Sequence, residues 1–237
     1  MEKINEFKFP EGKVLKGKYE IISFLGDGWE GEVYLVKEIP TGIERAAKFF
    51  FPHRNINNKA SNFYAKKLHK LRYCDILIQY CDLDTIIVKK QKVTFLISEL
   101  IEGELLSAFI KRKKKIHHFE ALHILYELTR GMEPIHKLKE YHGDLHTENI
   151  IISPHGVGFD IKLIDLYDYG AANLQDLKDD VVDMINIFYE VLGGKKKYHK
   201  LPLEIKKIIC GLKKSLITKK FKNAGQLRAY LEDMNWK

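Results

Sequence analysis

Cysteine is scarce in this chain: Cys74, Cys81 and Cys210 are the three present, an odd number without the spacing of a zinc site. That usage implies free thiols in a reducing compartment. Long hydrophobic runs are missing as well. No apolar stretch approaches the roughly 18 residues that span a bilayer. The start, Met1-Glu2-Lys3-Ile4-Asn5, lacks the charged-then-apolar order of a signal peptide. A cytoplasmic protein with no membrane partner is expected. Aromatics are few where positive charge is dense. The net charge of +8 comes largely from Lys111-Arg112-Lys113-Lys114-Lys115, Lys195-Lys196-Lys197 and a scatter from Lys206 to Lys222. Phosphate backbones attract such surfaces, but few rings interleave to stack on bases. A solvated lysine face, acting on solubility and steering, is preferred to a nucleic-acid partner.

At 237 residues the chain can form one large domain or two small lobes, and 45% hydrophobic with 30% charged residues is an ordinary globular composition. Its most informative run is His142-Gly143-Asp144-Leu145-His146-Thr147-Glu148-Asn149. The run follows a helical pattern (Phe119, Leu122, Leu125, Leu128, Met132, Ile135) and precedes the strand-like Ile150-Ile151-Ile152. A His, an Asp and an Asn therefore share one loop between rigid elements. Asp144 and Asn149, five apart, suit one group facing a nucleophile and one facing a metal ion. A polar surface turn would carry similar residues. Upstream, a strand-like stretch from Tyr19 ends at Gly26-Asp27-Gly28-Trp29-Glu30-Gly31, and Val33-Tyr34-Leu35-Val36 resumes a strand. The glycines thus sit at a hairpin tip, whereas dinucleotide-binding glycines are followed by a helix. Arg45 to Phe51 reads as a third strand, with Lys48 isolated among small and apolar residues.

In order and spacing these motifs resemble the protein-kinase-like superfamily across nearly the whole chain. The loop has the His-Gly-Asp-Leu-His-x-x-Asn form of atypical kinases and small-molecule phosphotransferases. The resemblance implies an α+β bilobal fold in one kinase-like domain: a small antiparallel-sheet N-lobe (1–99), a hinge (99–103) and a mainly helical C-lobe (104–237). It implies ATP and Mg2+ as cofactors. Gly26, Gly28, Gly31 and Val33 would form the glycine-rich loop over the phosphates, and Lys48 would meet the α- and β-phosphates. The backbone of Glu99 and Ile101, after a small gatekeeper at Ser98, would meet adenine. Asp144 would accept the proton of the attacking hydroxyl, and Asn149 and Asp165 would hold magnesium. Asp168, in Asp168-Tyr169-Gly170, is the alternative to Asp165, which directly follows a buried strand. Asp180 would head a buried helix and bond to the catalytic-loop backbone.

The chain also departs from the family pattern. A helix is expected over Asn58 to Arg72, but Phe49 through Cys74 contains no Asp or Glu. The family's Lys-binding Glu is therefore missing; Tyr64, Ala60 or Asn62 falls at its register, leaving Lys48 to Asp165 and the phosphates. Gly143 replaces the usual arginine, His146 the usual lysine, and no Ala-Pro-Glu lies between Asp165 and Asp180. The expected function is an ATP- and Mg-dependent phosphotransferase, a compact serine/threonine kinase acting on an unidentified protein. A small-molecule (aminoglycoside-type) kinase and a pseudokinase binding module are the alternatives. Other expectations are an extended lead-in over 1–17, a kink or local end of the helix at Pro134, and final helices over Pro202 to Ile217 and Ala224 to Met234.

Overall fold

Strand residues that alternate between two faces build the first of two units. The structure is a computed structural model that describes residues 3–167 and 172–235. Its first unit comprises Met1–Arg72 and Ile78–Ile101. Six antiparallel strands, β1 (Val14–Leu15), β2 (Tyr19–Asp27), β3 (Gly31–Glu38), β4 (Glu44–Phe50), β5 (Tyr80–Val88) and β6 (Gln91–Glu99), lie in the order β1-β2-β3-β4-β6-β5. Tyr34 and Val36 of β3, Ala47 and Phe49 of β4, and Phe95 and Ile97 of β6 bury one face, at the period of two that a pleated strand imposes. The N-terminal residues cover that face, so the expected lead-in is an aromatic strap. Phe7 stacks on Phe51 at 5.3 Å, and Phe9 meets the edge of Phe49 at 4.9 Å. The strap is pinned by the Phe7 N–H, which donates to Oε1 of buried Glu32 at 2.9 Å. α1 (Lys59–Lys70) packs on β5 and β6 and buries Tyr64 and Leu68.

The second unit comprises Tyr73–Leu77 and Glu102–Lys237. A three-stranded sheet, β7 (Glu104–Leu105), β8 (Ile150–His155) and β9 (Gly158–Leu163), accompanies α2 (Leu106–Lys113), α3 (His118–Lys137) and α4 (Leu174–Val191). α3 buries Ala121, Ile124, Leu125, Leu128, Met132 and Ile135, a stripe at helical spacing. Pro134 falls in its last turn, and the helix runs three residues further instead of ending there. α4 begins before the apolar run: Asn173 accepts the Gln175 N–H at 2.7 Å, and the Asp176 carboxylate accepts the Asn173 N–H at 2.7 Å, a reciprocal cap. After α5 (Lys195–Tyr198), the helix expected over 202–217 is divided into α6 (Leu203–Ile209) and α7 (Lys214–Lys220). Cys210, Gly211 and Leu212 between them take positive φ, which no continuous helix accepts. α8 (Ala224–Glu232) closes the chain.

Candidate active site

The loop from His142 to Asn149 is fixed from beneath by one carboxylate. Asp180 is 1% exposed. Its Oδ2 accepts the His142 N–H at 2.8 Å, and its Oδ1 accepts the Gly143 N–H at 3.0 Å. The His136 ring assists: its Nδ1 accepts the Ala224 N–H at 3.0 Å, so Nε2 carries the proton donated to Asp180 Oδ2 at 3.1 Å. His142, fully buried, is oriented in the same way. Its Nδ1 accepts the Asp144 N–H at 3.3 Å, which leaves Nε2–H for the Ile164 carbonyl at 3.0 Å. Gly143 has φ +84°, and a Cβ there would lie 2.9 Å from the Tyr141 ring. Glycine stands in the arginine position because the backbone turns left-handed there.

On this base Asp144 and Asn149 come together. Asn149 Nδ2 donates to the Asp144 carbonyl at 2.9 Å and to Asp144 Oδ2 at 3.2 Å. The amide is thereby oriented with its nitrogen toward Asp144, so Oδ1 is the atom left to coordinate a cation. His146 Nε2 lies 3.6 Å from Asp144 Oδ2, and both side chains are about half exposed. Asn149 directly precedes β8, and Asp165 follows β9 by two residues. The ladder pair Ile150–Leu163 and the Ile164 N–H to Asn149 carbonyl bond of 3.0 Å place both at one end of a hairpin. Asp165 has φ +56°. One carboxylate and one amide oxygen fit magnesium, which takes few protein ligands and completes its octahedron with phosphates and water. Asp168 lies outside the described residues.

In the first unit, Gly26, Gly28 and Gly31 differ in what requires glycine. A Cβ on Gly31 would sit 1.8 Å from the Phe49 carbonyl oxygen of β4. Packing between strands therefore accounts for Gly31. At Gly26 and Gly28 a Cβ would meet nothing within 4 Å, as suits backbone that a ligand approaches closely. Val33 pairs with Lys48 across β3 and β4. Ser98 is buried, and its hydroxyl donates to the Glu99 carbonyl at 3.3 Å. The Glu99 N–H donates to the Gln79 carbonyl at 3.0 Å. Ile101 is the last residue of this unit.

Lys48 shows what sequence reasoning missed. Its side chain is 12% exposed, and Nζ sits 2.9 Å from Oε2 of Glu30 in the glycine loop. The rings of Tyr64 and Phe50 lie 5.0 Å and 5.5 Å from the ammonium. The acid absent from α1 is thus replaced by one from the hairpin tip. Arg54, over the Trp29 ring at 4.0 Å, tethers the same tip. The signal was arithmetic: a half-buried lysine whose helix holds no acid must find one elsewhere, and the loop offers Asp27 and Glu30.

Beside the His142–Asn149 loop, Asp176, Asp179, Asp180, Asp183 and Lys214 line a cavity of about 370 Å³ with Tyr141 and Gly143. Burial, then the charges of Asp180 and Asp179, push the Asp183 carboxyl up to about 7. Between the unfolded value near 4 and 7, the folded protein keeps a proton that the unfolded chain has released. Stability contributed at Asp183 therefore falls as pH rises through that window and is level above it. Asp183→Asn should raise the melting temperature at pH 8 and leave it nearly unchanged at pH 4. A melting curve series over pH checks this; equal shifts at both pH values would refute it.

Residues 19–199 match the family model of the protein kinase domain. Serine/threonine-protein kinase PrkC of Bacillus subtilis is 28% identical over 157 residues, covering 65% of this chain and 23% of that protein. Death-associated protein kinase 2 of Homo sapiens is 29% identical over 174 residues, with 72% and 45% covered. Serine/threonine-protein kinase pkn2 of Myxococcus xanthus is 26% identical over 188 residues, with 78% and 21% covered. The chain spans between about a fifth and just under half of the length of these relatives.

Proposed function

We propose, for a chain that belongs to the protein kinase family with an α+β bilobal kinase fold, that its activity is ATP-dependent phosphoryl transfer to serine or threonine hydroxyls of a protein. The observation that carries this reading is the Asp144–Asn149 pair, held on a loop whose backbone is fixed by buried Asp180. Asp144 would accept the proton of the acceptor hydroxyl; its half-exposed carboxylate supports that reading. Lys48 and the loop at Gly26 and Gly28 would hold the phosphates; Glu99 and Ile101 would meet adenine through the backbone. Asn149 and Asp165 would hold magnesium, which supplies charge neutralisation to the transferring phosphoryl group.

The missing helix glutamate favoured a binding module without turnover. The Glu30–Lys48 pair supports an active enzyme instead, because the lysine has a carboxylate to orient it. A small-molecule acceptor is the second reading, favoured by the left-handed Gly143 in His-Gly-Asp-Leu-His. Intact-mass spectrometry after incubation with MgATP, beside Asp165→Asn, separates the readings. Phosphate added to the wild type alone is the expected result. ATP turnover that requires a hydroxylated metabolite, with no mass gain, would replace the protein substrate by a small one. Nucleotide binding without turnover of either kind would return the chain to a binding module.

A further inference from the structure

We infer that the protein substrate is acidic, and that negative residues about three to five positions from its acceptor hydroxyl dock on a lysine platform at the end of α2 and the start of α5. The inference rests on the kinase reading above and names its substrate class. Two lysine runs far apart in sequence meet there: Lys197 Nζ reaches the Lys114 carbonyl at 3.5 Å. Two cations of the first run are already neutralised, Arg112 by Glu104 and Lys113 by Glu120. Among the described residues, no ion pair engages Lys111, Lys114, Lys115, Lys195, Lys196 or Lys197.

The platform is tied to the catalytic loop through one residue. The Thr147 carbonyl accepts the Ser107 N–H at 3.0 Å, at the start of α2. The Thr147 hydroxyl donates to Glu190 at 3.2 Å, at the end of α4 and shortly before Lys195. α2 has 8 residues, so its far end lies about 12 Å from Thr147 at 1.5 Å per residue. An extended peptide covers that distance in roughly four residues. The spacing between acid and acceptor follows from these lengths.

Charge around the loop also selects the kind of anion. Asp176, Asp179 and Asp183 lie toward the opposite end of α4, around the cavity already described. A nucleic acid crossing the loop would carry uniform negative charge into those aspartates. A peptide with acids on one side of its acceptor meets only the lysines. Exposed charges are screened within about 8 Å at physiological salt and each contributes little, so several lysines acting together should give roughly tenfold selectivity.

The test compares wild type with the triple variant Lys114→Glu, Lys195→Glu, Lys196→Glu, none of which touches the proposed catalytic residues. Substrates are serine peptides with three glutamates, alanines or lysines, placed three to five residues before or after the serine. Wild type should phosphorylate one glutamate peptide with about tenfold higher kcat/KM than the alanine peptide, and 0.5 M salt should erase the difference. The variant should lose that preference while keeping its rate on the alanine peptide. Equal rates on glutamate and alanine peptides in wild type, or an acid preference surviving in the variant, would overturn the inference and leave the kinase reading standing.

Fluorescence anisotropy of a labelled glutamate peptide with alanine in place of serine adds a readout that needs no turnover. Binding to wild type and not to the variant is expected. Such binding without phosphoryl transfer would sink the kinase reading and keep the acidic docking surface. Tighter binding of a single-stranded oligonucleotide than of the peptide would overturn the inference in favour of a nucleic-acid surface.

Discussion

Asp144→Asn should lower kcat by about 10²–10⁴, the usual contribution of a positioned general base, with little change in KM for ATP. The substitution keeps size, shape and one acceptor oxygen, so the hydrogen bond from Asn149 Nδ2, 3.2 Å in the wild type, can persist. What is lost is the ability to take up a proton and the negative charge proposed to orient the hydroxyl. Stability should hardly change, because the side chain is about half exposed and its neighbours are satisfied elsewhere. The loop backbone depends on Asp180. This separates the prediction from a folding defect: the melting temperature stays and turnover falls. Asp165→Asn should abolish turnover, given the magnesium-holding role proposed for Asp165, and excess magnesium should restore part of it. Near-normal kcat in Asp144→Asn would remove Asp144 from the mechanism.

What could be read from the sequence was local. The glycine hairpin, the Lys48 strand, α1, the β8–β9 hairpin and the buried α4 each have a periodicity or a loop chemistry confined to neighbouring residues. Asp180 was expected to bond to the catalytic-loop backbone, and both of its oxygens do. What escaped depended on partners remote in sequence. Phe7 and Phe9 sit in a polar lead-in, and their burial requires the face carrying Tyr34 and Phe49. Buried Glu32 is tolerated because the Phe7 N–H and the Tyr34 hydroxyl donate to its two oxygens. Pro134 was expected to interrupt α3, yet it falls near the C-terminal end, and the Leu138 N–H bonds to its carbonyl at 3.1 Å. Gly211, with φ +62°, divides the single helix expected over 202–217 into α6 and α7. Glu30 escaped because side-chain direction at a hairpin tip is set by how the loop folds over β4. There the Phe51 N–H takes the Glu30 carbonyl at 2.8 Å.

Glu30→Gln should reduce kcat/KM for ATP by about ten- to a hundredfold, the equivalent of the 1.5–3 kcal/mol that a hydrogen bond to a charged group contributes. Lys48 is 12% exposed, between the rings of Tyr64 and Phe50. An ammonium at that depth needs an anion to keep both its charge and its direction. Glutamine keeps the acceptor at 2.9 Å but not the charge. Tyr64→Glu would rebuild the family's helix carboxylate. In the wild type it should lower activity, since it removes a 4%-exposed ring from the lysine's surroundings while Glu30 already supplies the anion. In Glu30→Gln the same change should recover part of the lost rate, because a carboxylate from either side can orient the ammonium. A purely structural role for Glu30 gives no such rescue. ATP kinetics unchanged in Glu30→Gln would make the ion pair incidental. Tighter ATP binding would instead identify Glu30 as a competitor of the phosphates for Lys48.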